Sequence, residues 1–274
     1  MKYSIVFAAL VSLGSASPIE PRQQTYGSGP YGAVASSSDS GFADHTIYIP
    51  NKAPLTAGDK FPVLVWGNGG CGSDGNSNNK FLGHVASNGY LVIASGRPGG
   101  SGGSTTAAMM KASIDYAVKV AGTSGKYANV DATKIAAAGF SCGGVEAMAM
   151  AWDARVKTLG IFSSGLLTNY TAASTFTKPI WYFQGGSGDV AYANGERDFK
   201  ALPKDTISWK GNLPLGHGGD LFNTNGGKFG KAGLLWLDFL FKGSEDGKKY
   251  FVDGGSKSDG WAVETKNLDK AKPL

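Results

Sequence analysis

Gly139-Phe140-Ser141-Cys142-Gly143 sets a serine between glycines at minus two and plus two. That spacing suits a nucleophile on a sharp strand-to-helix turn, where glycines remove the side chains that would collide. A serine hydroxyl attacks a carbonyl only after a base takes its proton, and near neutral pH the base is normally histidine. The chain offers three, His45, His84 and His217. An acid and then a histidine follow the serine in the chain order that accompanies this pentapeptide, so His217, in Leu215-Gly216-His217-Gly218-Gly219, is the expected base. His45, at a strand entrance, and His84, on a predicted helix, read as structural. The acid must leave a strand end between serine and histidine, where its carboxylate can hold the imidazole in one tautomer. Asp189 does so, following the expected strand 180–184 across Gly185-Gly186-Ser187-Gly188. Its rivals are Asp153, after a helix, and Asp198, inside a helix-like stretch. The catalytic set would be Ser141, Asp189 and His217, and its chemistry acyl transfer.

Such chemistry needs two N–H donors for the tetrahedral oxyanion. One is the amide of Cys142. The other comes from Gly67-Asn68-Gly69-Gly70-Cys71-Gly72, with Gly70 the first choice and Gly69 the second. Gly69, Phe140 and Trp66 are the expected substrate contacts. Cys71 and Cys142 would then flank one pocket, and a disulfide between them would pin both donors; two free thiols are the alternative. The same loop satisfies G-x-G-x-x-G, but no acidic residue stands about twenty positions on to hold a ribose. Gly99 to Gly103 lacks the Gly-Lys-Ser/Thr ending of a phosphate loop, and the histidines and cysteines match no metal-ligand spacing. The reading therefore includes neither cofactor nor metal.

These residues need a scaffold that puts several strand ends at one rim. Short β-rich runs at 46–49, 62–66, 90–94, 134–139, 157–162, 180–184 and 206–209 alternate with helix-period segments, the pattern of an α/β domain with a mainly parallel sheet covered on both faces. Helices are expected over 104–120, 144–152 and 230–242, the last with Leu234, Trp236, Leu237, Leu240 and Phe241 on a broad apolar face. The tail after Gly243 reads as loop with one edge strand, and no insertion large enough for a lid is visible.

Residues 1–16, with an apolar run over 5–13 ahead of Gly14-Ser15-Ala16, read as a signal peptide. Residues 17–40 read as an N-terminal extension with the first strand, and 41–274 as the α/β domain. The expected protein is secreted and extracellular, without a membrane span. The formal net charge of +5 is spread along the chain and not gathered in a run, which reads as a solvated surface and argues against a nucleic-acid partner. Asn169-Tyr170-Thr171 is an acceptor for N-linked sugar.

In these motifs the chain resembles secreted α/β-hydrolases of the dienelactone-hydrolase and polyester-hydrolase (cutinase-like) group, and a fungal secreted branch of it, over about 61–241. The resemblance implies the α/β-hydrolase fold, Gly70 and Cys142 as the oxyanion hole, Ser141, Asp189 and His217 as triad, and a monomeric serine esterase acting on lipid, cutin-like or polyester substrates. Gly70 and Cys142 replace the aromatic residue or methionine that many relatives carry there. An inert binding protein of this fold, or a peptidase or thioesterase using the same triad, is the alternative.

Overall fold

The computed structural model describes Met1, residues 24–50, Thr56 and residues 58–274. The expected signal segment, Met1 apart, and the start of the N-terminal extension lie outside the described residues. Thr25–Tyr26 (β1) and Val34–Ala35 (β2) form a small antiparallel pair. The central sheet contains Ser37–Asp39 (β3), Phe42–Tyr48 (β4), Phe61–Gly67 (β5), Leu91–Ser95 (β6), Val130–Phe140 (β7), Val156–Phe162 (β8), Ile180–Gln184 (β9), Ser208–Asn212 (β10) and Ala262–Lys266 (β11). Their order across the sheet is β11-β10-β9-β8-β7-β5-β6-β4-β3. The strands from β6 to β10 run parallel, and β3, β4 and β11 add antiparallel edges. The helices are Asn79–Ser87 (α1), Ala107–Val120 (α2), Cys142–Met148 (α3), Tyr192–Ala201 (α4), Gly227–Lys242 (α5) and Glu245–Phe251 (α6). This is an α/β fold with a large, mostly parallel sheet.

Period-two alternation sends side chains of each central strand into two cores. Leu64, Trp66, Val92, Ala138, Phe162 and Phe183 meet Phe81 and Leu82 of α1 and Trp236 and Leu240 of α5. Val63, Val65, Ile93, Ala137, Ile161 and Tyr182 meet Met110 and Ile114 of α2, Met148 of α3 and Phe199 of α4. Burial on both faces is why these runs are apolar throughout. Local signals set the ends: the Thr106 hydroxyl caps α2 by accepting from the Met109 amide at 3.3 Å, and α5 stops at Gly243, whose φ of 66° is the left-handed conformation glycine favours.

The tail holds the expected edge strand, β11, and also α6, which the sequence reading leaves as loop. Seven residues with Gly247 inside carry little periodicity. The helix is secured by Ser244 accepting from the Gly247 amide, by acids in its first turn and by lysines in its last.

From β5 the chain runs outward to β6 and then returns to β7 on the other side of β5. The carboxyl ends of β5 and β7 are thus neighbours, with Gly67 paired to Gly139, and the crevice of such a sheet opens there. Among the described residues no helix is long and apolar enough to cross a membrane.

Candidate active site

Ser141 stands between β7 and α3 with φ 54° and ψ −121°, a backbone conformation costly for any residue with a side chain. The surroundings enforce it. The Ser141 amide donates to the Phe162 carbonyl at 2.9 Å, and its own carbonyl accepts from the Gly144 amide at 2.9 Å and the Ser164 hydroxyl at 2.6 Å. A Cβ on Gly139 would lie 2.2 Å from the Gly143 oxygen, and one on Gly143 would lie 2.0 Å from the Gly67 carbonyl carbon. The flanking glycines therefore let α3 seat directly on the ends of β5 and β7, and the serine hydroxyl is left at the rim.

The three triad candidates are brought together. His217 Nε2 lies 2.9 Å from Ser141 Oγ, and His217 Nδ1 lies 2.7 Å from Asp189 Oδ1. The Asp189 side chain is fully buried while the imidazole stays about one-third exposed (0% and 32%). Burial by itself would raise the Asp189 carboxyl. The Ser163 hydroxyl, the Ala191 amide, His217 and the Gly185 amide outweigh it and hold that carboxyl below its ordinary value, so the group stays an anion. The amide bonds measure 2.8 Å from Ala191 and 3.1 Å from Gly185. The histidine loop is equally fixed: the Gly216 amide donates to Gly185 O at 2.9 Å, and the Gly218 amide donates to Ser163 Oγ at 3.0 Å.

The rival acids are engaged elsewhere, Asp153 with Arg155 at 2.6 Å and Asp198 with Arg197 at 2.9 Å and the Leu166 amide at 2.5 Å. His45 is buried with Nε2 bonded to the Met109 carbonyl at 3.0 Å, and His84 sits in α1.

Cys71 and Cys142 form a disulfide with Cα atoms 5.2 Å apart. Gly70 precedes one of them, in the turn Gly69–Cys71 after β5, with φ 61° and open space where a Cβ would be. Cys142 opens α3, where the leading amides have no acceptor within the helix. The disulfide therefore ties the turn that carries Gly70 to the start of α3, next to Ser141.

Of the expected substrate contacts, Phe140 is almost fully buried, and its ring lies 5.0 Å from the His217 ring and 5.6 Å from Phe222. Gly69 lies against that ring, since a Cβ there would come within 2.5 Å of it. Trp66 needs correction. It is 0% exposed, its Nε1 donates to Asn78 Oδ1 at 3.3 Å, and it packs edge-on against Phe81 and Phe162. Strand alternation points position 66 into the core under α1 and α5, so it offers a substrate no surface. Trp181, in β9, is buried in the same core.

The cleft beside the triad encloses about 150 Å³, and its apolar walls are Val145, Leu167, Val190 and Ala191, with Asn194 as a polar member. Sequence reading misses these residues and Ser163 too. Their one signal is position: Val145 lies in α3 just after Ser141, and the others lie in the segments that follow β8 and β9. Asn169 is exposed at the start of the short helical turn that follows Leu167. Among the described residues no cluster of three or more His, Cys, Asp or Glu side chains could hold a metal ion. No protein-family model matches the chain, and no curated protein matches it.

Proposed function

We propose that this chain is a secreted serine esterase of the α/β-hydrolase type, related to the dienelactone-hydrolase and cutinase-like group. The observation that carries the reading is the unbroken relay from Ser141 Oγ through both nitrogens of His217 to the buried Asp189, at 2.9 and 2.7 Å, on a strained turn. Ser141 attacks the ester carbonyl as its proton passes to His217 Nε2. The amides of Cys142 and Gly70 receive the developing oxyanion. His217 then gives its proton to the departing alcohol oxygen, leaving an acyl group on Ser141. A water, deprotonated by the same imidazole, attacks that acyl-enzyme and releases the acid. Throughout, Asp189 remains an anion that orients the ring and balances its positive charge.

The cleft supports a substrate with a short apolar portion. The cleft is small, about 150 Å³, so the rest of a longer or polymeric ester would lie outside it. Export is supported by the disulfide and by the leader-like composition of residues 1–16.

A panel of nitrophenyl esters from two to twelve acyl carbons tests the reading. Turnover should peak at the short esters, show a burst of about one alcohol per chain, and vanish in Ser141→Ala. A chain that turns over none of these esters, and no thioester or amide in a parallel panel, would be a binding protein instead.

A further inference from the structure

Ser163 is the first residue after β8, fully buried, and holds φ at 42°, a left-handed conformation that a side chain disfavours. Its amide donates to Phe183 O at 2.7 Å, so the backbone cannot turn away. Its hydroxyl meets both outer members of the triad. Oγ accepts from the Gly218 amide, directly after the proposed base, at 3.0 Å, and it stands close enough to the Asp189 carboxyl to help hold it below its ordinary value. A hydroxyl owns one proton. With Gly218 as donor to the oxygen, that proton stays available to the neighbouring Asp189 carboxylate.

We propose that Ser163 is a positioning residue of the catalytic site, a single hydroxyl that locks the acid's carboxylate and the histidine loop to each other. This rests on the serine-esterase reading of the same site. Asp189 has about four acceptor positions; the Gly185 and Ala191 amides and His217 fill three of them, and the Ser163 hydroxyl beside the carboxyl is the donor we assign to the fourth. Ser163 thereby fixes the carboxylate's rotation, so that Oδ1 faces the imidazole. It also takes up part of the negative charge, which moderates the carboxylate's hold on a protonated ring. β8, β9 and β10 are adjacent in the sheet, and the oxygen bridges the loops that follow all three.

Two variants test this. Ser163→Gly removes the oxygen and suits the backbone angle, so the fold should persist by circular dichroism; Ser163→Ala removes the oxygen alone. Both should lower kcat by roughly ten- to a hundredfold, with KM within about twofold. The acid limb of the kcat/KM profile should also move to higher pH, because a carboxylate short of one donor holds the imidazolium more firmly. A filler of space would not move that limb. Profiles that superimpose on the wild type, with kcat unchanged, would overturn the role of Ser163 while Asp189→Asn still abolished turnover. A wild-type chain in which a fluorophosphonate fails to label Ser141 would overturn the esterase reading and this proposal with it.

Discussion

Replacing both cysteines, Cys71→Ala with Cys142→Ala, should separate two things the disulfide does. The bridge closes 71 residues of chain. In the chain-entropy description that removes about 15 cal/mol/K from the unfolded ensemble, or about 4 kcal/mol at 25 °C. At about 2–4 °C per kcal/mol for a chain of this size, the melting temperature should fall by about 8–16 °C, read by circular dichroism or calorimetry. The second effect is local. Cys71 itself holds φ at 49°, a conformation that persists only where the surroundings over-determine it. Without the bridge the Gly69–Cys71 turn can relax, carrying the Gly70 amide away from the oxyanion. Losing one such donor outright costs about 10²–10³ in rate, and a displaced donor should cost at least about tenfold in acylation, measured well below both melting temperatures. A variant that melts early yet acylates at the wild-type rate would refute the positioning argument. One that melts unchanged would refute the entropic one.

Other expected outcomes are independent of the bridge. Gly69→Ala would drive a methyl to within 2.5 Å of the Phe140 ring and push it toward His217, so kcat should fall several-fold with little change in melting temperature. Trp66→Ala should instead cost about 3–5 kcal/mol of stability and leave KM unchanged in the folded fraction, as urea unfolding and steady-state kinetics would show. Asp153 is held down to about 2, first by its hydrogen bond from Arg155, and Asp189 lies below its ordinary value against the pull of burial. Their stabilisation is complete above the unfolded carboxylate value near 4 and drains as pH falls toward the folded values. Melting temperature should therefore drop between about pH 4 and pH 2, and Arg155→Ala should flatten that drop.

The triad candidates were legible because each sits just past a strand end in glycine-rich sequence, and chain order left one histidine to choose. The paired cysteines were legible once both were tied to the same loops. Trp66 misled because an aromatic near a strand end looks like a pocket wall, and only the facing helices show that position 66 points into the core. The cleft walls and Ser163 were illegible for another reason. Val145, Leu167, Val190 and Ala191 are ordinary apolar residues from three segments, and what Ser163 touches depends on β8, β9 and β10 lying side by side. The helix α6 rests on a serine cap and charge placement, and hydrophobic periodicity does not register either.

Peptide mapping by mass spectrometry after exposure to a fluorophosphonate tests the central claim most directly. The account expects one adduct, on Ser141, absent in Ser141→Ala and formed more than about 10³-fold more slowly in His217→Ala. An adduct on another residue, or labelling of Ser141 at the full rate without the imidazole, would contradict it.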